Sequence, residues 1–140
     1  MKKWFLILWF VWIPAKALSA QELLIFGGRG HHVFLGCLNC SRYDESSIWN
    51  PYGDFGSRYN EHSIWNRYGD YGSRYSDYSP WNPYADYPPV VVDEEGNFYG
   101  YLTLNAYHDK RAEFDLALIL YRHYEEIRED PAEWYERIFE

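Results

Sequence analysis

The residues able to do chemistry in this chain fall into two groups. The first is Cys37-Leu38-Asn39-Cys40, with His31 and His32 a few positions upstream. Two cysteines three apart support a disulfide, a pair of structural thiols, a zinc site shared with the histidines, or a redox couple. On a straight strand their Cα atoms lie about 10 Å apart, beyond the roughly 7 Å that a disulfide spans. The disulfide therefore requires a tight turn at Leu38-Asn39, which Asn permits. The zinc reading needs His31 to reach Cys37 along about 20 Å of extended chain, and no βαβ pattern supports a redox couple. Cys37 and Cys40 are thus a disulfide candidate, and the expectation is no metal and no cofactor.

The second group is aromatic and periodic. Residues 41–88 read SRYDESSIWNPYGDFG, SRYNEHSIWNRYGDYG and SRYSDYSPWNPYADYP, three copies of one 16-residue unit (41–56, 57–72, 73–88). Trp49, Trp65 and Trp81 share one position, and Tyr52, Tyr68 and Tyr84 share another. A fixed period means one small structural unit used repeatedly, each copy completing the buried face of the next. Flat rings at one period form a binding row for a sugar or protein surface if they point outward. Pointing inward, the tryptophans are the core of a unit with little other apolar material, and the tyrosines, with their polar tips, form the exposed half. All six are carried forward as the candidate aromatic array. Asp54, Asp70 and Asp86 also recur, as turn caps or as the lining of a cation site. His62, His108 and His123 read as surface or capping residues. No nucleophile elbow, phosphate loop or His-Glu-x-x-His occurs.

The elements that position these groups follow from the local patterns. Within each copy, Asp44, Asn60 or Ser76 is placed to cap a short helical turn over Ser-Ile-Trp-Asn, and the Tyr-Gly that follows is turn chemistry. The third copy changes Ile to Pro80, Gly to Ala85 and Gly to Pro88, as a terminal repeat does. Glu22–Cys40 and Val90–Asn105 each read as a β-hairpin around a Gly-rich or acidic turn. They share a Gly-x-Leu step, Gly36-Cys37-Leu38 and Gly100-Tyr101-Leu102. Both glycines are candidate bulges, and the two hairpins are expected to join in one antiparallel sheet. Phe114, Ala117, Leu118, Tyr121 and Tyr124 recur at helical spacing. Asp130-Pro131 is a helix start, giving helix, break and short helix over an acidic segment, residues 109–140. The expected fold is a small single α+β domain over 21–108 with that helical tail.

Residues 1–20 carry the features of a secretory signal peptide: Lys2-Lys3, an apolar run of about 10 residues, and small residues before Ala20. The run is shorter than the roughly 20 residues that span a bilayer. Loss of this segment, with Lys2, Lys3 and Lys16, takes the net charge from −8 to −11. So acidic a chain argues against nucleic acid and anionic lipid as partners. With 21% aromatic residues it is not a disordered polymer.

LGCLNCSRYDESSIWNPYG, YGSRYS, SPWNPYADYPPVVVD and GNFYGYLTLNAYH resemble a family of bacterial exported proteins and appended domains with no assigned activity. The similarity covers residues 33–108. It implies a bacterial origin and brings no catalytic residue with it. The expected function is a non-catalytic binding or structural module of the cell envelope, periplasmic or secreted, touching cell-wall glycan or an envelope protein. The alternatives are a hydrolase-type site between array and hairpins, and a metal-dependent module built on the cysteine pair.

Overall fold

The computed structural model describes residues 21–140; the signal-peptide expectation lies outside the described residues. Four short strands form one sheet: β1 (Leu23–Gly27), β2 (Val33–Cys37), β3 (Val90–Asp93) and β4 (Phe98–Tyr101). Their spatial order is β2-β1-β3-β4, with every neighbouring pair antiparallel. The two expected hairpins are the outer pairs, and β1 and β3 zip them together, Leu23 opposite Asp93 through Phe26 opposite Val90. That central pairing closes the 16-residue units into a loop held at both ends.

The hairpins share a bulge. Ile25 pairs with Gly36 but Phe26 with Phe34, and Val91 pairs with Gly100 but Val92 with Phe98. An extra residue on one strand of an antiparallel pair bends that strand. Each glycine takes a left-handed φ, +115° at Gly36 and +125° at Gly100, which side chains rarely adopt. The next residue then forms a parallel bridge outside the sheet, Cys37 with Ser47 and Tyr101 with Arg111. Leu38 N–H donates to the Leu23 carbonyl, and Leu102 N–H to that of Pro89. The shared Gly-x-Leu step thus marks two copies of one corner.

At the first corner the chain turns tightly enough to bring the Cys37 and Cys40 Cα atoms to 5.5 Å, and the two form a disulfide. The Asn39 side chain holds the turn, accepting from Leu23 N–H and donating to the Gln21 carbonyl. Both sulfurs lie beside the Glu22 carboxylate, but bonded to each other they supply no thiolate for a metal.

Two helices complete the chain, α1 (Asp115–Glu129) and α2 (Pro131–Phe139). Asp130 ends the first and starts the second: its side chain accepts from Glu133 N–H, with Pro131 at the first helical position. The acidic segment is no free tail. Tyr124 of α1 stacks on Trp81 at 4.5 Å between ring centres, and Tyr135 and Phe139 of α2 lie against Trp49 at 6.3 and 5.9 Å. Ala117, Leu120 and Ile127 belong to the same core as the three tryptophans. Among the described residues, no helix is long and apolar enough to cross a membrane.

Asp93 shows how the β3–β4 turn is fixed. Its carboxylate accepts from the N–H groups of Glu95 and Asn97, the Asn97 side chain and the Tyr99 hydroxyl. The Asn97 amide, with the other donors, holds its pKa below the ordinary carboxylate value near 4. A depressed folded-state pKa contributes stability that is present above the unfolded value and lost as pH falls through the folded one. Below pH 4 the protein is expected to lose stability. Asp93→Asn should flatten that dependence in urea titrations between pH 2.5 and 5; an unchanged slope would remove Asp93 from the acid response.

Candidate functional site: the tyrosine face of the repeat array

The array contains no strand and no α-helix. Its backbone is a run of linked turns. In the first copy the N–H of Asp44 donates to Ser41 C=O, Ser47 to Asp44, Asn50 to Ser47 and Gly53 to Asn50, and Ser57 N–H then reaches Gly53 C=O. Four three-residue steps and one four-residue step return the chain to the same phase after one unit. The same bonds recur in the second copy from Ser57 to Ser73, and in the third from Ser73 to Ala85. The expected helical turn over Ser-Ile-Trp-Asn is therefore one link in this chain of turns.

A side chain reinforces each of these steps but the glycine one. The oxygens of Ser41, Asp44, Ser47 and Asn50 accept from the N–H two residues on, as do Ser57, Asn60, Ser63, Asn66, Ser73, Ser76, Ser79 and Asn82. Short polar side chains that bond their own backbone are the ordinary stabilisers of such turns. The asparagines do more. The Nδ2 of Asn50, Asn66 and Asn82 donates to the carbonyl six residues back, at Asp44, Asn60 and Ser76, at 3.0 to 3.2 Å. Each therefore straps two turns together. Asn66→Asp keeps the acceptor and replaces the donor with an oxygen facing the Asn60 carbonyl. We expect urea unfolding to show a loss of about 1–3 kcal/mol; a neutral result would remove the strap from the account.

The turns sort the aromatic residues by direction. Ser47-Ile48-Trp49, Ser63-Ile64-Trp65 and Ser79-Pro80-Trp81 are all buried. Trp49 and Trp65 are 0% exposed and Trp81 is 1% exposed. Each indole N–H donates to a backbone carbonyl: Trp49 to Leu38, Trp65 to Ile48 and Trp81 to Ile64. Successive rings lie 6.3 and 5.7 Å apart. Of the two directions open to the tryptophans the inward one is found, so Trp49, Trp65 and Trp81 leave the candidate contact array. They are the spine of the array, because a large ring with one donor is best buried where that donor finds a carbonyl.

The tyrosines face the other way. Tyr52, Tyr68 and Tyr84 are 96, 90 and 87% exposed. Tyr43, Tyr59 and Tyr75 form a second exposed row, and the guanidiniums of Arg42, Arg58 and Arg74 lie over them at 5.0 to 5.5 Å. A further member was missed in the sequence. Leu104 N–H donates to the Pro80 carbonyl, the position whose counterparts at Ile48 and Ile64 accept the next copy's indole N–H. Asn105 then accepts from Tyr107 N–H in the Asn50 manner, and Tyr107 is as exposed as Tyr52. Leu-Asn-Ala-Tyr is the signal, the Trp-Asn-Pro-Tyr step with Leu104 for the tryptophan and Ala106 for the proline.

Along one edge, where α1 meets the second and third copies, two adjoining grooves of about 440 Å³ each open beside Tyr59, Tyr68 and Tyr75. Arg58, Arg67, Arg74 and Arg128 also line them. Arg58 and Arg67 share the Glu129 carboxylate at 2.6 and 3.1 Å, and Arg42 pairs with Glu136 at 2.7 Å. Burial of its ring pushes the Tyr124 hydroxyl above its ordinary value, with Glu125 beside it.

The other candidates lie apart from this face. Asp54, Asp70 and Asp86 are exposed and none makes a turn cap; Asp54 accepts from the Asn60 side chain at 3.4 Å. His31 meets the Pro88 carbonyl, His62 stacks on Tyr71, His108 bonds the Asp109 carbonyl and His123 lies beside Trp134. Comparison with models of protein families, with curated proteins and with solved structures finds no match to this chain.

Proposed function

We propose that this chain is a non-catalytic, exported module of the bacterial cell envelope or its surroundings, and that its rows of tyrosines contact cell-wall glycan. The observation that carries the reading is the near-complete exposure of Tyr52, Tyr68, Tyr84 and Tyr107 on turns that fix their backbone. Exposed large rings are not explained by folding, since burial is where their apolar area stabilises. A regular set of them on a rigid scaffold supplies flat faces and hydroxyl tips at little entropic cost, which suits sugar rings. The cysteine disulfide and the signal-like N-terminus agree with export to an oxidising compartment.

The test is co-sedimentation with insoluble peptidoglycan, with cellulose and chitin as controls. We expect selective pelleting, weakened about tenfold by Tyr68→Ala, which corresponds to roughly 1.4 kcal/mol. A folded protein that stays in the supernatant with every polysaccharide would overturn the glycan reading.

A further inference from the structure

We propose that the groove between the second and third copies is a subsite for an oxyanion on a saccharide, a carboxylate or phosphate carried by a sugar that stacks on the tyrosine row. This rests on the glycan reading and narrows it. The chain as a whole is strongly acidic, yet four arginines converge here, Arg58, Arg67, Arg74 and Arg128, against two carboxylates, Glu125 and Glu129.

Arg128 is the decisive residue. It is 7% exposed and projects from α1 into both grooves. Its Nη2 donates to the Gly72 carbonyl at 3.2 Å, and its Nε is buried with no partner. No carboxylate among the described residues pairs with it, while Arg42, Arg58, Arg67, Arg111 and Arg137 all have one. Guanidinium cannot shed its proton at physiological pH. A buried cation without a counter-ion is costly, and this one faces further positive charge. Burial, and then the neighbouring Arg67, weigh against its charged form, and Tyr124, Glu125 and Glu129 offset them only in part. An incoming anion relieves that imbalance.

Arg67 supports the same reading from the sequence side. The residue after Trp-Asn is Pro51 in the first copy and Pro83 in the third, but arginine in the second. That one departure lies next to Arg128. Arg74 is exposed and has no carboxylate partner among the described residues. Guanidiniums are suited to planar recognition of carboxylate and phosphate, and Tyr68 and Tyr75 flank them with flat faces.

The experiment compares charged glycans with neutral counterparts on the intact protein: polygalacturonate with fully methyl-esterified pectin, and phosphomannan with neutral mannan. Poly-glutamate serves as an acidic peptide control. We expect at least tenfold tighter binding to one charged glycan than to its neutral counterpart, and the pair that discriminates identifies the oxyanion. Arg67→Pro and Arg74→Gln, both at exposed positions, should erase that preference without changing the thermal unfolding profile. Arg128→Gln should do the same, and the two exposed variants decide the matter if it does not fold. Equal binding to charged and neutral glycans would overturn this subsite and leave the glycan reading intact. Poly-glutamate bound as tightly as the glycans would replace the saccharide with an acidic peptide. Binding to none of them would overturn the subsite, and the glycan reading falls with it only if peptidoglycan also fails to pellet the protein.

Discussion

Trp65→Ala is expected to cost about 3–5 kcal/mol of folding stability, the range for emptying a core site of a large aromatic ring. The site is fully buried, with the ring stacked on Trp81 and tilted against Trp49, and its indole N–H is satisfied by the Ile48 carbonyl. Removing the ring opens a cavity at the middle of the spine and strands that carbonyl, two independent losses. Tyr68, three residues later in the same copy, is 90% exposed. Tyr68→Ala should change stability by no more than about 0.5 kcal/mol. Urea titration of both variants separates the two kinds of aromatic residue. Similar losses at both positions would contradict the division into buried tryptophans and exposed tyrosines. That loss is a large share of the total stability of a small domain, about 5–15 kcal/mol, so Trp65→Phe provides the graded version.

Gly72→Ala should be nearly as damaging, at about 3 kcal/mol or more. A Cβ there would overlap the backbone carbonyl of Asn66, whose oxygen already accepts the Gly69 N–H. The clash is with main chain that holds a turn, so no side chain can move aside to relieve it. Gly56 stands in the same relation to Asn50. The third copy has Pro88 at this point, where the chain leaves the coil for β3 and the constraint no longer applies. Gly69→Ala is the internal control. The third copy already carries Ala85 at that position, and a Cβ on Gly69 would meet the Asn66 side-chain nitrogen at 3.1 Å. Its effect should stay within about 1 kcal/mol of zero. Equal effects at Gly69 and Gly72 would show that close approach to the Asn66 carbonyl is not what requires glycine.

The sheet and the helices were legible in the sequence for ordinary reasons. Apolar runs bounded by glycines mark strands, the repeated Gly-x-Leu step marks two like corners, and Asp130-Pro131 marks a helix start. The array was legible as a repeat but not as a conformation. Its polar caps recur every third residue, Ser41, Asp44, Ser47, Asn50, a period belonging to neither strand nor α-helix. Read that way, the linked turns were available from the residues alone. The direction of the rings was not, because it depends on what covers the spine. The charged α1–α2 segment reads as a solvated face, yet Tyr124, Tyr135 and Phe139 turn its other side onto the tryptophans. The burial of Arg128 is likewise a product of that docking, and neighbouring residues in the chain gave no sign of it.

One comparison bears most directly on the proposal that the tyrosine rows are the working surface. The protein and its Tyr52→Ala, Tyr68→Ala, Tyr84→Ala triple variant would be taken through peptidoglycan co-sedimentation and thermal unfolding side by side. The account predicts matching unfolding transitions and loss of pelleting by at least a hundredfold in the variant. Unchanged pelleting by a normally folded variant would contradict it.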